Sequence, residues 1–217
     1  MRETTVPSLH VITDDRPGRE VLATVASALS AGAPCVQVRR KRGRDRDRLA
    51  FAVRVVRDCH AAGARCIVND RVDLALVADA DGVHLGADDL PVAAARALAD
   101  AVAGPGFLVG GTARDPDTAR ALVTDGCDYL GVGPVHATHT KDGLPPPLGH
   151  DGLRRVTAAV DVPVVAIAGI TAARVPDVLA AGAHGIAVVG AVSDAADAAA
   201  ATRDLLDALA GTTAGRS

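Results

Sequence analysis

The sequence predicts a single-domain α/β protein folded as a closed (β/α)8 barrel, a TIM barrel with parallel strands, and three observations carry that expectation. Eight short apolar runs alternate with amphipathic segments of helical spacing. One helix-to-strand punctuation, a glycine between small or acidic residues, recurs at Gly32, Gly63, Gly126 and Gly182. Eight units in 217 residues average about 27 residues each, which suits a compact barrel.

The strands are expected at Leu9 to Thr13, Cys35 to Arg39, Arg65 to Asn69, Gly82 to Leu85, Phe107 to Gly111, Tyr129 to Val132, Pro163 to Ile167 and Gly185 to Val189. Most are nearly continuous Val/Ile/Leu runs, as in strands buried on both faces of a parallel sheet. Helices are expected at Glu20 to Ala31, Leu49 to Ala62, Val72 to Ala78, Pro116 to Asp125, Val175 to Ala181 and Ala195 to Ala210, with another after Pro91. The barrel would fill residues 1–210, leaving 211–217 as a flexible tail. An open doubly wound sheet would more often show GxGxxG after its first strand. The turn here reads Thr13-Asp14-Asp15-Arg16-Pro17-Gly18, which disfavours a dinucleotide site.

Composition removes several function classes. A net charge of −3 gives no global drive toward nucleic acid or an anionic membrane, so any phosphate binding must be local. With no Trp and only Phe51, Phe107 and Tyr129 as aromatics, a base-stacking platform is hard to build. No run of roughly 18 apolar residues exists, and the start of the chain carries Arg2, Glu3 and Pro7 where a signal peptide needs an apolar stretch, so a cytoplasmic protein is expected. Cys35, Cys59, Cys66 and Cys127 form no CxxC pair and read as small buried hydrophobes. The partners expected are small phosphorylated molecules, with the oligomeric state, a homo-oligomer included, left open.

In a barrel of this class the chemistry lies at the C-terminal ends of the strands. Strand two ends Gln37-Val38-Arg39-Arg40-Lys41, and period-two spacing turns Gln37, Arg39 and Lys41 to one side, where three donors can meet one anion. The run from Arg39 to Arg48 holds seven basic and two acidic side chains, and its second half reads as a solvated loop. Asn69-Asp70 and Asp89 follow strands three and four. Two carboxylates beside a phosphate can share Mg²⁺, although each could instead cap the helix that follows it. Thr112 ends strand five. Gly169 and Gly190, after strands seven and eight, offer backbone amides to a second phosphate. The long segment from Gly133 to Gly149, with Thr138-His139-Thr140-Lys141 at its centre and Pro145-Pro146-Pro147 as a stiff arm, reads as a lid that brings Lys141 onto the site.

Six segments, which hold most of these residues, resemble the thiamine phosphate synthase family: Gln37 to Lys41, Val68 to Ala75, Asp81 to Gly86, Asp128 to Val135, Thr138 to Lys141 and Ala166 to Ile170. The resemblance spans nearly the whole chain. It implies a transferase that couples hydroxymethylpyrimidine diphosphate to hydroxyethylthiazole phosphate and releases pyrophosphate with Mg²⁺. By the same resemblance, Gln37, Val38, Arg39, Arg40, Lys41, Asn69 and Thr112 would hold the pyrimidine diphosphate, with Arg39, Lys41 and Lys141 acting on the leaving group. Asp70 and Asp89 would hold the metal, and Thr138, His139, Thr140, Gly169, Val189 and Gly190 the thiazole phosphate. Departures from the family pattern stand at Ala87, Thr112, Ala168 and Gly190, where Gln, Ser, Gly and Ser are usual. Two alternatives go with it: a non-catalytic paralogue that binds thiazole phosphate as a regulator or scaffold, and a thiazole tautomerase, whose histidine after strand five is Arg114 here.

Overall fold

A computed structural model describes residues 5–140 and 143–213, without the side chains of 212 and 213. The chain alternates β1 (Leu9–Ile12), α1 (Val21–Ser30), β2 (Cys35–Val38), α2 (Asp45–Ala61), β3 (Arg65–Asn69), α3 (Val72–Val77), β4 (Gly82–Leu85), α4 (Val92–Val102), β5 (Leu108–Ala113) and α5 (Pro116–Thr124). It continues through β6 (Tyr129–Val132), α6 (Gly149–Thr157), β7 (Val164–Ile167), α7 (Val175–Ala180), β8 (Gly185–Val188), α8 (Gly190–Ser193) and α9 (Ala198–Thr213). All neighbouring strands pair in parallel in sequence order, and β1 against β8 closes the barrel, with Leu9 opposite Ile186 and Val11 opposite Val188. This is the expected barrel.

Alternation along each strand divides its side chains between two cores. Leu9, Val11, Val36, Val38, Val68, Val83, Leu85, Leu130 and Val132 face outward into the large apolar layer under the helices. Ile12, Cys35, Ile67, Leu108, Tyr129, Val165 and Ala187 form the smaller cluster inside the barrel. The inner surface makes room for its larger members with glycines. A Cβ at Gly110 would stand 2.2 Å from the Tyr129 ring, and one at Gly131 would stand 2.8 Å from His84 Cε1. The four helix-ending glycines adopt the left-handed conformation that the punctuation requires, with φ of 91° at Gly32 and 94° at Gly182. All four cysteines are free and buried.

Several elements differ from the sequence reading. Helix α2 begins at Asp45, so half of the expected basic loop is its first turn; Asp45 and Asp47 there complement the positive end of the helix. Helix α6 was not expected, because Gly149 and Gly152 mask its apolar face; it buries Leu153 and Val156. The single helix expected from Ala195 is divided: the short α8 follows β8 directly, and Asp197 then starts α9 by accepting a hydrogen bond from Ala200 N at 2.9 Å. The expected barrel end at residue 210 falls inside α9, and 214–217 lie outside the described residues. Among the described residues no helix is long and apolar enough to cross a membrane.

Candidate active site

The C-terminal ends of the strands surround a cavity of about 870 Å³, which is the size of a site for drug-sized ligands. It is lined by Gln37, Arg39, Lys41, Asn69, Asp70, Asp89, Thr112, Thr138, His139, Thr140, Gly169, Val189 and Gly190. Two expected members are elsewhere. Val38 is buried in the outer apolar layer, and the Arg40 guanidinium lies 4.8 Å over the Phe51 ring. The pleat that turns Gln37, Arg39 and Lys41 inward turns these two outward, so neither serves the cavity. Lys141 lies outside the described residues; the rest of the segment read as a lid, 133–140 and 143–149, is described, with Thr138, His139 and Thr140 on the cavity.

The β2 edge is held from β1. Thr13 Oγ1 donates to Arg39 O at 2.9 Å and accepts from Arg39 N at 2.8 Å, while Asp15 accepts from Lys41 N at 3.0 Å. Lys41 Nζ then pairs with Asp70, which also accepts from Asn69 Nδ2. Asp70 has φ of 69°, a conformation that Asp and Asn tolerate better than most residues. Neither carboxylate caps a helix: the residues before α3 and α4 are Arg71 and Pro91, and Asp89 instead accepts from Gly86 N at 2.7 Å. Burial pushes the Asp70 carboxyl up, Lys41 opposes that, and the adjacent Asp89 pushes it up further. The Asp70 carboxylate, with Asp89 beside it, is thus short of positive charge. Among the described residues no three His, Cys, Asp or Glu are grouped to hold a metal, so a cation here would take two carboxylates and complete its shell with substrate and water oxygens, as Mg²⁺ commonly does.

On the far side of the mouth, Thr138 and Thr140 hydroxyls lie 3.0 Å apart, with Thr140 Cγ2 3.0 Å from the place a Cβ on Gly190 would take. Gly169 has φ of 64°, and a Cβ there would meet Ala137 O at 2.6 Å, so the backbone just after β7 approaches this loop closely. Ala168 before it also has positive φ, 79°, an unfavourable state for alanine. Ala168→Gly should therefore raise stability by about 0.5–1 kcal/mol after the extra freedom of glycine in the unfolded chain is deducted, a melting-temperature gain of a few degrees measured by calorimetry.

Sequence reasoning missed the floor and one wall. The floor is a buried polar layer in which His84 bridges Tyr129 Oη at 3.1 Å and Thr112 Oγ1 at 3.0 Å, with Gln37 hydrogen-bonded to Tyr129 and His10 5.4 Å from the Tyr129 ring. Burial lowers His10 to about 3, with His84 adding to the effect, and lowers His84 to about 4, so both are neutral imidazoles at neutral pH. Strand parity was the available signal, since His10 shares a face with Ile12 and His84 with Gly86. The missed wall is the segment after β1, where Asp14, Arg16 and Arg19 line the cavity beside Asp194.

The family described as thiamine monophosphate synthase matches residues 9–192. The thiamine-phosphate synthase of Salinispora arenicola (strain CNS-205) is 54% identical over 204 residues, covering 93% of this chain and 96% of that protein. Among solved structures, a thiamine phosphate pyrophosphorylase from Pyrococcus furiosus aligns with a TM-score of 0.84 at 35% identity, covering 94% of this chain and 96% of that one. A 3-hexulose-6-phosphate synthase from Salmonella typhimurium, at 18% identity and a TM-score of 0.73 over 94% and 99% of the two chains, shares the fold alone.

Proposed function

The chain belongs to the thiamine monophosphate synthase family, and on that premise we propose that its cavity joins hydroxymethylpyrimidine diphosphate to hydroxyethylthiazole phosphate with two subsites on opposite arcs of the barrel mouth. The observation that carries this division is the placement of two different donor sets on opposite arcs of the mouth. Gln37, Arg39, Lys41, Asn69, Asp70 and Asp89 come from β2 to β4, whereas Thr138, Thr140, Gly169 and Gly190 come from β6 to β8. The first arc has the donors and carboxylates for a diphosphate with its cation, and the second has the hydroxyls and backbone for one phosphate.

The reaction asks little covalent chemistry of the protein. Departure of pyrophosphate leaves an electron-poor methylene on the pyrimidine, which the thiazole nitrogen then attacks, so neutralising the leaving group and fixing the two rings account for the catalysis. Arg39 and Lys41 neutralise diphosphate oxygens as charge accumulates on them. Gln37, fixed against Tyr129, and Thr112, fixed by His84, offer polar contacts to the pyrimidine from the floor. Asp70 and Asp89 would hold Mg²⁺, which supplies further positive charge to the diphosphate when bound. The hydroxyls of Thr138 and Thr140 orient the thiazole phosphate. The four free, buried cysteines suit a reducing compartment, and the cytoplasm is the compartment proposed.

The division is tested by titrating Lys41→Ala with each ligand separately. Affinity for the pyrimidine diphosphate should fall about tenfold or more while affinity for the thiazole phosphate changes less than twofold. Equal losses for both ligands would mean that the cavity is not divided in this way.

A further inference from the structure

Resting on the assignment of the β6–β8 arc to the thiazole phosphate, we propose that Arg16 and Arg19 form a guanidinium clamp for that phosphate, occupied by the Asp194 carboxylate until the substrate displaces it. Both arginines come from the segment between β1 and α1, which closes the barrel next to β8. Asp194 Oδ1 accepts from Arg16 Nη2 at 2.7 Å and from Arg19 Nη2. Its other oxygen, Oδ2, lies 3.6 Å from His139 Nε2 and only 2.7 Å from where a Cβ on Gly190 would stand. A carboxylate thus fills the notch that glycine leaves at position 190, with Thr140 against its other side, in the wall assigned to the phosphate.

The two carboxylates on these arginines are not equivalent. The Asp14 side chain is 4% exposed and that of Asp194 is 30% exposed. Asp14 accepts from Arg16 Nε at 2.9 Å and Nη2 at 2.6 Å and from Ser193 Oγ at 2.8 Å, and lies 3.4 Å from Arg19 Nε. Burial alone would raise its carboxyl, but these partners outweigh burial and hold it down to about 2. Asp14 is therefore the permanent orienting partner, and Asp194 is the one that can leave by side-chain rotation alone. Without Asp194 the two guanidiniums and Asp14 carry net positive charge, and a phosphate dianion offers them more oxygens and more charge than one carboxylate. The clamp also supplies donors where the serine hydroxyl usual at position 190 is missing.

The test is calorimetric titration with hydroxyethylthiazole phosphate and, separately, with the unphosphorylated alcohol. Asp194→Asn, which keeps the shape and removes the competing charge, should bind the phosphate ester about three- to tenfold more tightly and leave the alcohol unchanged. Arg16→Gln and Arg19→Gln should each weaken the ester about tenfold, again without moving the alcohol. An Asp194→Asn protein that binds the ester no more tightly than the wild type, or variants that shift both ligands alike, would overturn the clamp while leaving the subsite in place. A wild-type protein indifferent to the phosphate would overturn the subsite assignment itself, and the clamp with it.

Discussion

Asp70→Asn should lower turnover about 100- to 1,000-fold, the scale on which one preorganised electrostatic stabiliser acts. Asparagine is the informative replacement because position 70 sits at φ 69°, which Asn adopts at less cost than Ala. The fold should survive, since the amide removes a charge from a place where the neighbouring Asp89 already opposes it. Its loss leaves Lys41 without the carboxylate that positions it, and would leave the proposed cation with one protein ligand in place of two. Binding of Mn²⁺ as a spectroscopic stand-in should weaken in parallel with activity. Near wild-type turnover of Asp70→Asn at limiting Mg²⁺ would mean that this carboxylate is no ligand. Asp89→Asn carries the same expectation, and its amide oxygen can still accept from Gly86 N.

The second large effect is on stability against pH. His10 and His84 are held to about 3 and about 4 in the folded protein, below the 6.5 of a free histidine, with burial as the main cause for each. The unfolded chain therefore binds protons that the folded one refuses. Stability is complete above pH 6.5 and is lost as pH falls from 6.5 toward the folded values, by up to about 1.4 kcal/mol per pH unit for each histidine. Between pH 6.5 and 4.5 the loss should be about 3–5 kcal/mol, a melting-temperature drop on the order of 10 °C. His84→Gln, which retains polar contact with Tyr129 and Thr112, should remove roughly half of this dependence. A melting temperature flat from pH 7 to pH 5 would contradict neutral burial of the pair.

The barrel was legible because its evidence is periodic. Eight apolar runs and four left-handed glycines repeat one unit, and the structure departs from that reading mainly at helix ends. The inward set Gln37, Arg39 and Lys41 was legible for the same reason, since alternation alone separates it from Val38 and Arg40. Assigning those two to the substrate took a motif as a block where the pleat divides it. The floor of His10, His84 and Tyr129 was not read because each residue looks like an ordinary strand position until glycines across the barrel, Gly110 and Gly131, show the space made for it. Arg16 and Arg19 were hidden for another reason. Their role depends on Asp194, about 175 residues away in sequence and adjacent only because β1 closes against β8.

The most direct test of the account is incubation of the purified protein with both phosphorylated heterocycles, with and without Mg²⁺, following thiamine phosphate and pyrophosphate together. The account predicts equimolar appearance of the two products with Mg²⁺ and their near absence without it. Binding of both substrates in the presence of Mg²⁺ with no coupled product would contradict it.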